Sequence, residues 1–399
     1  MKLQSDTITE LPKLYVPNLE TLDLSSCGEL VTVHELCAPN LVVLFLYCCY
    51  KLVTVHESVG SLDKLRTWSL RGCKSLQNLP NNLRLKSLEF FYLSKCSELE
   101  KFPNILHQEM KCLKSLELSE SGIRELPSSI RYLTQLTELQ LEGSHNLRHL
   151  PDSIGYLTQL TTLKLDGCHN LRDLPDSIGY LTQLTSLWLR GCHNLRDLPD
   201  SIGYLTQLTT LMLDGCHNLR DLPDSFGYLT QLTRLWLEGC HNLRDLPDSI
   251  YKFQMLEDFS FDSAKLRPPC NSFDGLSEYG FPRLRELELW GCGHKLEFLM
   301  KPNYFPVLSR LDLSLSDIVS IPESLNRFTT LETLHIDTCQ QLRQILGLPK
   351  SIKDLLANNC PSLDAQSSSR LLNQVSLFQV IIKNKKIKQI FFFLLSFLI

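Results

Sequence analysis

From Leu136 to Met255 the apolar residues fall into one pattern, written five times at a spacing of 24 residues. Read from Leu160, the unit is L-T-T-L-K-L-D-G-C-H-N-L-R-D-L-P-D-S-I-G-Y-L-T-Q; it returns from Leu184, Leu208 and Leu232, and Leu136 opens a slightly different first copy. Side chains alternate along an extended x-L-x-L-x segment, so with Leu163 and Leu165 inward, residues 162, 164 and 166 point outward together. Each unit therefore predicts one short strand, and stacked units lay these strands about 4.8 Å apart in one parallel sheet. The second half, L-P-x-S-I-x-x-L as in Leu174 to Leu181, predicts a short 3-10 or α turn. Pro ends the extended segment by fixing φ, Asp or Ser caps the turn, and Ile and Leu pack inward.

A fixed period of roughly 20–29 residues, with L-x-x-L-x-L and a Cys three places on, is the leucine-rich repeat signature. The expected fold is an α/β solenoid: a leucine-rich repeat horseshoe of about 15 repeats, with a parallel sheet on the concave face and short helical or 3-10 turns on the convex face. The same frame starts at Leu19, Leu41, Leu65, Leu88 and Leu113, and again at Leu284, Leu308, Leu331 and Ile352. Four stretches follow. Residues 1–135 are irregular repeats that start mid-repeat, since Ile8 to Pro12 matches the second half of a unit. Residues 136–255 hold the five near-identical copies, and 256–363 hold further repeats with a loop insertion near 265–280, at Pro268-Pro269. Residues 364–399 form a non-repeat tail, basic at Lys383 to Lys388 and apolar from Ile390, expected to be disordered. Its apolar end is too short for a bilayer span of about 20 residues, and membrane contact by the tail is not expected.

Composition narrows the partners. With 40 basic and 44 acidic residues and a net charge of −4, the chain lacks the basic stripe that nucleic acid requires, so no nucleic-acid partner is expected. Eleven of the fifteen cysteines stand at the ninth place of a unit, among them Cys27, Cys168, Cys192, Cys292 and Cys360, where other units carry Ser121, Ser144, Ala264 and Ser316. That place reads as a small buried packing position, not a disulfide framework. The odd total, the missing signal-peptide pattern at Met1–Glu10 and the lack of any N-x-Ser/Thr sequon point to a reducing compartment, the cytoplasm first and the nucleus second.

Catalytic and metal chemistry find little support. His145, His169, His193, His217 and His241 stand one strand apart, yet a zinc site needs four convergent ligands, so no metal is expected. Arg172-Asp173, Arg196-Asp197, Arg220-Asp221 and Arg244-Asp245 predict exposed cross-repeat ion pairs. Carboxylates recur on the outward strand positions, including Asp258, Glu286 and Glu288, with no burial to perturb them. No Gly-Lys dipeptide, Gly-x-Ser-x-Gly or His-Glu-x-x-His occurs. The chain is expected to be no enzyme and to need no cofactor.

The copies differ where a ligand would touch them. The third place runs Glu138, Thr162, Ser186, Thr210, Arg234; the fifth Gln140, Lys164, Trp188, Met212, Trp236; the seventh Glu142, Asp166, Arg190, Asp214, Glu238. Before the pattern degrades at Tyr251, other polar places, such as Asp176, Ser177, Thr182 and Gln183, do not drift between copies. The expected partner-binding residues are Glu138, Gln140, Glu142, Lys164, Asp166, Trp188, Arg190, Met212, Asp214, Arg234, Trp236 and Glu238. Trp188, Met212 and Trp236 are expected to form an apolar patch inside a charged rim, the composition of a protein-binding hot spot.

Leu174-Pro-Asp-Ser-Ile178, the Gly-Cys-His-Asn that ends the run from Leu160 to Asn170, and Ile123-Arg-Glu-Leu-Pro127 together resemble the leucine-rich repeat region of plant intracellular immune receptors. The nearest class carries TIR and nucleotide-binding domains ahead of the repeats. The resemblance covers Ile8 to about Leu363. It implies a defense role in which the concave face recognises a pathogen effector or a guarded host protein, with a nucleotide-binding domain absent from this chain as a further partner. Two other binding roles share parts of the pattern: an intracellular scaffold resembling the Ras-group leucine-rich repeat proteins, and the substrate-binding part of a ubiquitin ligase.

Overall fold

The central Leu of each L-x-L is driven out of water while its neighbours stay at the surface, and this alternation builds the sheet one repeat at a time. A computed structural model describes residues 1–3, 7–106, 109–244, 246–261, 280–289 and 304–367. The expected insertion near 265–280 and the expected disordered tail beyond 367 lie outside the described residues, as do Cys292, Ala264 and Asp245. The chain divides into two compact units, Met1–Leu229 and Thr230–Ile399.

In the first unit, parallel strands follow one another from Thr21–Asp23 to Thr210–Met212, in the order of the sequence. Register is one-to-one, so Leu139, Leu163, Leu187 and Leu211 form a single inward column, each at 0% exposure. In the second unit, strands Arg234–Leu237, Asp258–Phe261, Glu286–Glu288, Arg310–Asp312, Thr333–His335 and Asp354–Leu356 pair in the same way. Both units are leucine-rich repeat solenoids.

Two local expectations change, and one reading is extended. Ahead of Ile8, Lys2 bridges Asp23 in parallel, and the Leu3 N–H donates to the Asp23 carbonyl at 2.8 Å. Three residues are too few to show a period, which is why the pattern alone starts at Ile8. On the side away from the sheet, the turns Asp152–Tyr156, Asp176–Tyr180 and Asp200–Tyr204 are 3-10 helices whose N-cap residues are Pro151, Pro175 and Pro199, with no side-chain cap bond. Asp lies one place inside, in the first turn, where its charge suits the helix N-terminus. Finally, Arg172 and Arg196 make no ion pair among the described residues. Identical repeats in register set like beside like: the Arg172 N–H donates to the Arg148 carbonyl, the Arg196 N–H donates to that of Arg172, and Asp197 bridges Asp221.

The cysteine column does more than fill space. The Sγ of Cys168, Cys192 and Cys216 donates at 3.1, 3.2 and 3.1 Å to the carbonyls of Leu141, Leu165 and Leu189, the last strand leucine of the preceding repeat. Ser144 Oγ makes the same bond to Leu118 at 3.0 Å, which explains why Ser and Cys alternate at this place. Burial pushes the Cys96 and Cys168 thiols up to about 12, so at neutral pH each keeps its proton and stays a donor.

The histidines also form a column. Ring centroids of His145, His169, His193 and His217 are 4.7, 4.3 and 4.6 Å apart in succession, with the ring planes nearly parallel. A carbonyl only accepts, so Nδ1–H of His145 donates to Gly167 at 2.9 Å and that of His169 to Gly191 at 2.8 Å. Burial, then the neighbouring His169 and His217, hold His193 below its ordinary value. A histidine whose folded value lies below its unfolded one contributes stability above the unfolded value of 6.5 and loses it as pH falls through 6.5 toward the folded value. Thermal unfolding measured from about pH 7.5 to about pH 5.5 should therefore fall more steeply in the natural chain than in His193→Asn. Equal slopes would mean that the stack takes up protons without strain.

Candidate functional site

Outward strand positions of the first unit are where the repeats stop being alike, and where unlike charges can meet. Lys164 reaches over the sheet with Nζ 3.9 Å from Glu142, 4.0 Å from Glu138 and 4.6 Å from the centroid of the Trp188 ring. Arg190 lies over the same ring at 5.4 Å. Its Nη2 and Nε reach Asp166 Oδ2 at 2.7 and 2.9 Å, and its backbone N–H donates to Asp166 Oδ1 at 2.9 Å. The hydrogen bond it donates to Asp166 holds the guanidinium above its usual range. Gln140 Nε2 donates to Glu138 at 2.7 Å, and Ser119 Oγ to Glu142 at 3.0 Å.

Register places Trp188 directly beside Met212. Met212 is only 7% exposed, so it packs as a support for the indole and offers a ligand little surface. Trp188 keeps part of its ring accessible, and its Nε1–H is buried without a hydrogen-bond partner. Asp214 follows on the same strand edge. Of the expected binding residues, Glu138, Gln140, Glu142, Lys164, Asp166, Trp188, Arg190, Met212 and Asp214 belong to the first unit, while Arg234, Trp236 and Glu238 belong to the second. The expected three-member patch is thus seen as Trp188 on Met212 in one unit and Trp236 in the other. There, Trp236 Nε1–H donates to Asp258 Oδ2 at 3.0 Å, and burial raises the Glu238 carboxyl above the usual range.

A second group of outward residues in the first unit escapes the comparison of the five copies, because it lies in the irregular repeats. Arg71 crosses two repeats to pair with Glu117, lies 5.4 Å from the Tyr92 ring centroid, and receives Ser94 Oγ as an acceptor at 3.0 Å. Phe90 and Tyr92 stack at 6.4 Å on the same strand. Aromatic residues at outward positions were the available signal. Among the described residues no group of three or more His, Cys, Asp or Glu is arranged to hold a metal ion, and no helix is long and apolar enough to cross a membrane.

Comparison with known proteins agrees with the repeat architecture. Residues 74–195 match the family described as leucine-rich repeat region. Disease resistance protein RML1A of Arabidopsis thaliana is 32% identical over 144 residues, 36% of this chain and 12% of that protein. TMV resistance protein N of Nicotiana glutinosa is 35% identical over 133 residues, 33% of this chain and 10% of that protein. The match thus spans about a tenth of each relative's length. Among solved structures, a leucine-rich repeat protein of Leptospira interrogans is 20% identical with a TM-score of 0.41, covering 81% of this chain and 91% of its own. Over residues 74–195 the chain thus matches the leucine-rich repeat region family, and its repeats are similar to those of plant disease resistance proteins.

Proposed function

We propose that the outward sheet face is the protein-recognition surface of a plant innate immune receptor, binding a pathogen effector or a guarded host protein in the cytoplasm. The observation that carries this reading is the concentration of variation at the third, fifth and seventh places, the rest changing before Tyr251 only at Ser144, His149 and Phe226, with Trp188 set there between Lys164 and Arg190. A partly exposed indole inside a ring of charged groups is the composition of an interface anchor. Similarity of the repeats to plant disease resistance proteins supports the defense role. The work of this face is binding, with no turnover.

The test is capture of partners from plant extract, with and without pathogen proteins, by the full chain beside Trp188→Ala and Met212→Ala. A partner that uses this face should be held by the natural chain and weakened by roughly 30-fold in Trp188→Ala, the cost of a hot spot of about 2 kcal/mol. Met212→Ala, truncating a buried support, should change stability more than capture. Equal capture by all three proteins would sink the assignment of this face.

A further inference from the structure

The two units treat their sheet-face carboxylates differently. In the first, Glu117, Glu142 and Asp166 each have a cation from another repeat: Arg71 two repeats away, and Lys164 and Arg190 in the next one. In the second, no ion pair reaches Glu238, Asp258, Glu286 or Glu288 among the described residues. The cations available there, Arg234 and Arg310, make none either, and His335 pairs with Asp312 at 3.2 Å and Asp354 at 3.9 Å. Burial raises the carboxyls of Asp258 and Glu288 above the usual range, as it does that of Glu238; Arg234 and Arg310 pull Asp258 down, and Arg310 pulls Glu288 down, by less than burial raises them.

At the centre of this face lies a polar group with nothing to bind. Strand register sets Trp236, Ser260 and Glu288 side by side at one outward position. Ser260 is 3% exposed, and its Oγ is buried without a hydrogen-bond partner. Phe259 and Phe261, the alternate residues on its strand, stack at 4.4 Å in the core, which leaves Ser260 on the sheet face. Trp236 completes the contrast with Trp188: the first-unit indole has two cations over its ring, while no described cation lies over the second-unit indole.

We propose that the sheet face of the second unit receives a basic segment of a protein partner, an arginine or lysine head group lying on the Trp236 ring with Asp258 and Glu288 as its counter-charges and Ser260 Oγ accepting one of its N–H groups. This rests on the reading of the chain as a protein-recognition module and specifies the partner's chemistry. A guanidinium fits better than a bare metal ion, because it stacks on an indole and offers several N–H donors to carboxylates at once. Nucleic acid is repelled by the same carboxylates.

The probe is a short fluorescent peptide of alternating arginine and glycine, titrated against the full chain at low salt, beside the same peptide with citrulline in place of arginine. Citrulline keeps the shape and removes the charge. The arginine peptide should bind at least about tenfold more tightly than the citrulline peptide, and weaken as salt rises. Asp258→Asn with Glu288→Gln, both isosteric, should cost roughly tenfold, and Trp236→Ala a similar factor, while Asp176→Asn with Asp200→Asn, which removes as much negative charge from the 3-10 turns of the first unit, should leave the affinity unchanged. Equal binding of the two peptides by the natural chain overturns the proposal without depending on any variant's folding. Unchanged affinity in the double variant overturns it as well. If the peptides fail while capture through Trp188 persists, only this inference falls; if capture through Trp188 fails too, the recognition reading falls with it.

Discussion

Leu187→Ala is expected to destabilise the first unit by about 2–5 kcal/mol, the cost of removing a buried Leu and leaving a cavity that cannot fully collapse. Leu187 is 0% exposed and stands between Leu163 and Leu211 in a column of its own kind. Each neighbour is held by a register of backbone bonds on both sides, so it cannot move into the space without breaking that register. The effect should also show in cooperativity. A repeat array is stable through its nearest-neighbour interfaces, and weakening one in the middle uncouples the repeats on either side. Chemical denaturation should therefore show a lowered midpoint and a broadened or split transition, and hydrogen exchange should accelerate first in strands Thr162–Lys164 and Thr210–Met212. A single sharp transition at the natural midpoint would mean that the column tolerates a void.

Gly203→Ala is expected to cost about 1–3 kcal/mol, or more if the turn cannot shift. A Cβ at Gly203 would lie 2.5 Å from the carbonyl oxygen of Ser225 and 2.8 Å from its Cβ, the first of which is backbone of the next repeat. The same approach recurs at Gly155 and Gly179, so the glycine sets how closely successive 3-10 turns stack. Gly167 has a different need: its φ of +70° is the left-handed turn that ends the strand. An added methyl at Gly203 must push two repeats apart on the turn side while the strands stay at hydrogen-bonding distance. Thermal unfolding of Gly203→Ala against Ser201→Ala, a side chain with no hydrogen-bond partner at its buried Oγ, separates stacking distance from simple loss of a group. A smaller loss in the glycine variant would show that the turns are loosely stacked.

Repetition and variation act on the same sheet in opposite ways. Constant places put like on like, which suits leucine, cysteine and stacked imidazole but leaves Arg172 and Arg196 without carboxylates. Only a varied place can set Lys164 between acids or Arg190 on Asp166. Part of the diversity on the outward face is therefore spent on contacts within the protein. What those contacts leave unused, the exposed part of Trp188 and the carboxylates beside Ser260, is what remains for a ligand.

The amino-acid sequence by itself determined the period, the inward leucines, the small ninth position and the side of the strand that varies, because each depends on spacing along the chain and on the alternation of side chains. It also pointed to 3-10 or α turns after Leu-Pro, though not to proline as their N-cap. Tertiary structure decided the rest: that the cysteine column carries hydrogen bonds, that Met212 is buried while Trp188 holds two cations, that Arg71 reaches Glu117 across an intervening repeat, and that Ser260 is buried with its Oγ unpartnered between Trp236 and Glu288. Most of those features arise between repeats, where a side chain's surroundings are set by residues 22 or more positions away. A pattern along the chain shows which way a residue points, and only the stacked neighbours decide what it meets there.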